Sequence, residues 1–195
     1  MENSPSWLMP LLRSRAQGAM LALLYLHPER DYTLTEIAEA IDAGFKVVHT
    51  EAGRLSAAGL ITETRRGNAR LLRANMTTPV SSPLTDLLAA TYGPVPVLTD
   101  LLAGIDGIQE AYIFGSWAAR YIGTPGHVPN DIDVLVIGTP DRETVYDAAS
   151  AAEGKLKREV NISFVTPEYW ESPNPADSFF KTIRDRPLVK LEISR

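Results

Sequence analysis

The segment that most constrains the fold is "NDIDVLVIG", residues 130–138, in which two aspartates run directly into an apolar stretch. The pattern predicts a buried strand. Side chains alternate along a strand, so Asp131 and Asp133 are expected on one face, roughly 6.5–7 Å apart along the chain. Carboxylates at the start of a buried strand are costly unless a positive charge balances them. We therefore predict a divalent cation here, Mg²⁺ or Mn²⁺, with the two aspartates as ligands.

The sequence after residue 109 alternates strand-like and helix-like segments, which predicts an α/β arrangement. The strand "EAYIFGS" ends in Gly115-Ser116, where a short helix is expected to start. Free backbone N–H groups at a helix start bind phosphate, Gly115 allows a close approach, and Ser116 adds a hydroxyl donor. A phosphate site beside paired carboxylates indicates phosphoryl or nucleotidyl transfer. Trp117, next to this site, could stack on a base or pack in the core.

The first part of the chain has a different pattern. Apolar residues at helical spacing predict a helix over 7–26. Thr33 followed by Glu36 is a capping box that predicts a second helix, and 45–58 form a third. The segment "LITETRRGNARLLRA" (60–74) then predicts a hairpin with a Gly-Asn turn.

This order of elements resembles the winged helix-turn-helix domains of bacterial regulators. The resemblance covers residues 15–74 and is carried by "LTEIAEAI…VVHTEAGRLSAAGLI". It implies double-stranded DNA as a partner. The DNA-facing candidates on the third helix are Lys46, His49, Thr50 and Arg54. Glu51, in the same helix, is expected to repel phosphate. The candidates on the wing, suited to phosphates or the minor groove, are Arg65, Arg66, Asn68 and Arg70.

A second resemblance covers residues from about 95 to 195. The motif "FGSWAAR…NDIDVLV" resembles the GS…DxD signature of the DNA polymerase β-like nucleotidyltransferases in their minimal bacterial form. It implies a mixed sheet with flanking helices, a Mg²⁺ ion and a nucleoside triphosphate (NTP) as donor or ligand. By position, Gly115 and Ser116 would hold the triphosphate, and Asp131 and Asp133 would hold the metal and carry the catalysis.

The sequence departs from that signature at two places. The arginine expected shortly after the serine is represented by Arg120, after Ala119, and we assign it to the nucleotide site. The third carboxylate, expected on the next strand, is replaced by Asn161. An asparagine can bind a cation through its carbonyl but cannot offset its charge. Glu159, two residues earlier on the same strand face, is an alternative third ligand.

Composition limits the protein's class and location. There are no cysteines, which excludes disulfides and thiolate metal sites. No apolar run is long enough for a membrane span, and the first residues lack signal-peptide features, so we expect a cytoplasmic protein. The net charge is −5, and the acidic excess lies after residue 80. This asymmetry indicates two domains with different partners.

The sequence therefore predicts an α+β protein, with an N-terminal winged helix-turn-helix and a C-terminal nucleotidyltransferase-like mixed sheet. The expected boundaries are 1–78 for the DNA-binding domain, 79–94 for a linker helix and 95–195 for the nucleotidyltransferase-like domain.

Three functions are compatible with this organisation. The first is a homodimeric DNA-binding regulator that senses Mg-NTP. The second is an active transferase that moves a nucleoside monophosphate (NMP) to a protein, small molecule or nucleic-acid end, with a toxin-like helical protein as one candidate partner. The third is a pseudoenzyme that binds only DNA or protein.

Overall fold

The computed structural model describes residues 12–125, 129–174 and 176–193, and these divide into two compact units between Gly93 and Pro94. We describe each unit separately. Within the described ranges no helix is long and apolar enough to cross a membrane.

The first unit is a bundle of helices with a three-stranded sheet. Its elements are α1 (Arg15–Tyr25), β1 (Tyr32–Thr33), α2 (Leu34–Ala40), α3 (Phe45–Ala57), β2 (Ile61–Arg66), β3 (Ala69–Ala74) and α4 (Ser81–Tyr92). The strands are antiparallel in the order β1-β3-β2. Three helices followed by a hairpin is the predicted winged-helix layout.

Local sequence explains where these helices start. The α1 helix begins at Arg15 because the Ser14 hydroxyl accepts a hydrogen bond from the N–H of Gln17. The helix predicted over 7–26 is therefore shorter at its start, and residues 7–11 lie outside the described ranges. The predicted capping box is confirmed: the Thr33 hydroxyl accepts from the Glu36 N–H, and the Glu36 carboxylate accepts from the Thr33 N–H.

Two features of this unit differ from the sequence prediction. The two-residue strand β1 was not predicted, because its pairing with β3 joins residues about 40 positions apart. The segment interpreted as a linker helix, 79–94, holds α4, which starts at Ser81 and belongs to the first unit. Leu88 of α4 is fully buried in the same core as Met20 and Leu24 of α1.

The second unit is a four-stranded mixed sheet with helices on both faces. Its elements are α5 (Pro94–Leu102), β4 (Ile108–Phe114), α6 (Gly115–Tyr121), β5 (Asp131–Gly138), α7 (Arg142–Leu156), β6 (Glu159–Val165), α8 (Pro167–Glu171), α9 (Ser178–Arg184) and β7 (Val189–Leu191). The strand order is β6-β5-β4-β7. Among the strand pairs of the described residues, β5–β6 alone is parallel.

The central strand β5 is buried on both faces, as its apolar run predicts. Ile132, Val134 and Val136 pack in a core with α5 and α7. Leu135 and Ile137 face the other way, into a smaller core with α9. Asp131 and Asp133 alternate in phase with this second set, so they lie on the α9 face of the sheet.

Candidate functional sites

The strand directions bring candidate site residues of the second unit to one end of the sheet. β5 starts at Asp131, β6 runs parallel to it from Glu159, and antiparallel β4 ends at Phe114, opposite Asp133. α6 begins at the next residue, Gly115. We call the resulting group the strand-end site, and its members are Gly115, Ser116, Asp131, Asp133 and Asn161.

Asn161 lies beside the two carboxylates. It pairs in register with Asp133. Its amide nitrogen donates to Oδ2 of Asp131 and to Oδ1 of Asp133, each at 3.4 Å. Both contacts are long for hydrogen bonds, so the amide only weakly compensates the two negative charges.

The surroundings of Asp133 oppose its ionisation. Burial raises the pKa of its carboxyl above the ordinary 3.8, and the nearby Asp131 charge raises it further, while the hydrogen bond from Asn161 acts in the opposite direction. Partial burial disfavours a carboxylate that has no cation beside it. A cation close to Asp133 would therefore favour the ionised form of its carboxyl.

The start of α6 lies directly against this carboxylate. Gly115 has a left-handed φ of 73°, and a β-carbon at this position would overlap the Asp133 carboxylate. Phe114 precedes the helix without any side-chain cap hydrogen bond. The first N–H groups of a helix have no intrahelical acceptor. An uncapped helix start thus adjoins a paired-carboxylate site, with Ser116 exposed beside it.

The donor atoms of the strand-end site fit a hard divalent cation. Asp131 and Asp133 supply carboxylate oxygens, and the amide of Asn161 would supply its carbonyl oxygen after rotation. Glu159 pairs in register with Asp131 but is exposed. In the described part of the chain, no three Asp, Glu, His or Cys residues form a group that could hold a metal ion. Glu159 therefore does not complete a three-carboxylate set.

Arg120 is not brought to the carboxylates. It lies in the last turn of α6, and its guanidinium donates to the backbone carbonyl of Thr124 at 2.7 Å. Arg120 lies five positions after Gly115, a rise of about 7.5 Å along the helix. The assignment of Arg120 to the nucleotide site stays a prediction.

Aromatic residues also flank the site. Phe114 is the register partner of Asp133, and the ring of Phe179, from α9, meets it edge-on at 6.2 Å between centroids. Phe179 is 49% exposed. Sequence reasoning missed it, because no local pattern connects α9 to β4. Trp117, for which the sequence allowed base stacking or core packing, packs against the core and stacks on Tyr121.

The first unit presents the predicted DNA-facing residues of α3 on one exposed surface. The residues placed there are Lys46, His49, Thr50 and Arg54. They lie away from the buried stripe of Val48, Ala52 and Leu55. Glu51 was expected on the same exposed surface, but the structure places it elsewhere. It is only 5% exposed and its carboxylate accepts a hydrogen bond from Arg54 at 2.7 Å.

The hairpin of β2 and β3 differs from the prediction because one of its three arginines is paired with a carboxylate. Arg65, Arg66 and Asn68 are exposed at its tip. Arg70 instead makes two hydrogen bonds to the carboxylate of Glu63, one from Nε at 2.7 Å and one from Nη2. This pairing lowers the pKa of Glu63. Among the described residues, Arg65 and Arg66 therefore have no carboxylate within salt-bridge distance, whereas Arg70 is paired with Glu63.

Comparisons with known proteins give limited results. No family model and no curated protein matches the chain. Among solved structures, it is similar to the transcription regulator MepR of Staphylococcus aureus, with 20% identity over 43% of this chain and 60% of MepR, at a TM-score of 0.36. The YusO protein of Bacillus subtilis matches at 25% identity over 40% of this chain and 53% of YusO, with a TM-score of 0.33.

A third similar structure is ZitR of Lactococcus lactis in complex with DNA, at 22% identity, covering 47% of this chain and 58% of ZitR, with a TM-score of 0.34. The chain thus spans between half and three fifths of the length of these solved structures. The winged-helix description follows from the order and pairing of the elements of the first unit.

Proposed function

We propose that this protein is a DNA-binding regulator whose second unit binds a Mg²⁺–NTP complex. The observation that carries the nucleotide part is the convergence, at one end of the sheet, of an uncapped helix start with two carboxylates and an amide. Asp131, Asp133 and Asn161 would hold the ion, and Gly115 with Ser116 would bind the triphosphate. The ion would neutralise the charges of the carboxylates and the phosphates.

The exposed ring of Phe179 supports a nucleotide rather than a simple phosphate as the ligand. It packs on Phe114, beside Asp133, and leaves half of its surface open. An exposed aromatic face is suited to stacking on a base.

The DNA part of the proposal depends on the exposed surface of α3 and on the exposed wing arginines Arg65 and Arg66. As a homodimer, the protein would bind two half-sites about one helical turn apart, roughly 34–36 Å. A sensor must couple its two ligands, so Mg-NTP would change the affinity for DNA, and DNA would change the affinity for Mg-NTP by the same factor.

The deciding experiment is calorimetric titration of ATP and GTP, with and without Mg²⁺, into the native protein and Asp131→Ala/Asp133→Ala. We expect Mg²⁺-dependent binding that the double variant loses. Absence of binding by the native protein contradicts the proposal for these nucleotides. Titration of a preferred DNA sequence, with and without nucleotide, then tests the coupling.

The alternative is an active nucleotidyltransferase that moves NMP to a protein, small-molecule or nucleic-acid acceptor. The same strand-end site would position the triphosphate, and the substitution of Asn161 for a third acid argues against full activity. Transfer of label from an α-labelled NTP, abolished in Asp133→Asn, would favour this alternative. A toxin-like helical acceptor remains a prediction.

A further inference from the structure

Glu51 is an acidic residue on the buried side of the helix that carries the candidate DNA contacts. It lies on the same stripe as Val48 and Leu55, and it is 5% exposed. Its Oε1 accepts a hydrogen bond from Nη1 of Arg54 at 2.7 Å. Its Oε2 is buried and has no hydrogen-bond partner among the described residues. The carboxylate therefore depends on Arg54 for compensation.

The ion pair with Glu51 restricts the Arg54 side chain more than the side chain of an unpaired surface arginine is restricted. Without Arg54 the buried Glu51 carboxylate would have no ionic partner, which is strongly unfavourable. The Arg54 side chain is 47% exposed while that of Glu51 is 7% exposed. One corner of the planar guanidinium is thus anchored, and its other N–H donors remain available on the exposed side.

We propose that Glu51 is a positioning residue that holds Arg54 to read the edge of a base and removes the Arg54 charge from phosphate binding. The inference rests on the proposed DNA-binding function. A fixed guanidinium fork matches O6 and N7 of guanine. An arginine whose charge is already balanced releases few counterions from DNA. Lys46, by contrast, is exposed on the same helix and has no ion pair within the described ranges.

The test uses the full chain and a preferred sequence selected from a random double-stranded DNA library. Affinities for this sequence and for single-base variants are measured at several salt concentrations. Arg54→Lys keeps the charge and can still pair with Glu51. We expect it to lose about 5- to 150-fold discrimination at one base pair, the range for a bidentate contact, with an unchanged salt slope.

Two further variants separate positioning from simple structure. Glu51→Gln keeps the shape but frees the Arg54 charge, so log K should fall more steeply with log[salt], by about 0.9, while discrimination at the same base pair falls. Lys46→Ala is the matched control. This variant should make the slope of log K against log[salt] shallower by about 0.9 and weaken binding to all DNA sequences alike.

Several outcomes overturn the inference. One is sequence-independent binding by the native protein. Another is an Arg54→Lys variant that retains native discrimination. A third is a folded Glu51→Gln variant with native slope and discrimination. If Glu51→Gln does not fold, Arg54→Lys decides alone. Failure of the native protein to bind any DNA refutes the proposed function itself, and it differs from all three results above.

Discussion

The α-carbon of Gly115 lies against the carboxylate of Asp133, so closely that a β-carbon at position 115 would overlap an oxygen of that carboxylate. The contact follows from the topology, because β4 ends opposite Asp133 and the chain turns directly into α6. Glycine is thus the residue that lets the helix start and the carboxylate meet. Any side chain at position 115 would therefore meet this carboxylate.

Substitution of Gly115 by alanine is expected to destabilise the protein and abolish nucleotide binding. The left-handed backbone costs alanine about 1–2 kcal/mol, and Asp133 must also move. Gly123→Ala is the matched control, since Gly123 has a φ of 95° and a β-carbon added there would meet no atom within 4 Å. Urea unfolding should show a larger loss of free energy of unfolding at position 115. Equal losses would mean that the carboxylate contact is unimportant.

Because the pKa of Asp133 is raised, ionisation of its carboxyl should make the folded protein less stable. Its folded pKa exceeds the ordinary 3.8, so the folded state binds more protons than the unfolded state between these two values. Stability from this group therefore falls as pH rises through that window. Asp133→Asn should be more stable than the native protein at neutral pH without Mg²⁺, and the difference should vanish near roughly pH 3.

Thermal melting between acid and neutral pH measures this difference. Asp147→Asn, at an exposed position of α7, is the control and should not reproduce it. Mg²⁺ should raise the melting temperature of the native protein and leave that of Asp133→Asn nearly unchanged. If Asp133→Asn is less stable than the native protein at neutral pH, the electrostatic account is contradicted.

Much of both units could be predicted because the decisive signals are local. The capping box of Thr33 and Glu36 fixes the start of α2 within four residues of sequence. The apolar run after Asp133 gives β5, and the alternation of side chains places both aspartates on one face. Asn161 was expected near the site from its position in the next strand, and its contacts with both aspartates agree with that expectation.

The unpredicted features depend on contacts that sequence patterns do not encode. Phe179 meets Phe114 across 65 positions of sequence. Glu51 faces inward because the helix register fixed by Val48 and Leu55 turns it there, and its neighbour Arg54 makes that position tolerable. In both cases residue type alone indicated the opposite environment: an aromatic ring is exposed and a carboxylate is buried.

Phe179 is predicted to contribute to nucleotide affinity through its exposed ring. Phe179→Ala should weaken Mg-NTP binding by about 1 kcal/mol, within the range for aromatic pairs, because the ring is half exposed and packs on Phe114, the register partner of Asp133. Binding of Mg-triphosphate, which has no base, should be unaffected. Calorimetry with both ligands tests this, and a parallel loss for both would indicate a general disturbance of α9. Tyr146→Ala, another exposed ring in the same unit, is the control.

Replacement of Asn161 by aspartate would restore a third carboxylate. Without Mg²⁺ the added charge should lower the free energy of unfolding by roughly 1 kcal/mol, the repulsion of two unit charges 4 Å apart in water. With Mg²⁺ the melting temperature should rise more than that of the native protein, and Mn²⁺ binding should tighten. Glu159→Gln is the comparison, with no expected change. An unaltered response of Asn161→Asp to metal would exclude residue 161 from the cation site.

The exposed and the paired arginines of the wing are expected to differ in their effect on the salt dependence of DNA binding. Arg65 and Arg66 are exposed, so Arg65→Ala/Arg66→Ala should make the slope of log K against log[salt] shallower by about 1.8. Arg70 is already paired with Glu63. Arg70→Ala should therefore leave the slope nearly unchanged and reduce stability by up to about 1 kcal/mol. Fluorescence titration across a salt series separates the two, and an equal slope change per arginine would show that the Glu63 pair opens when DNA binds.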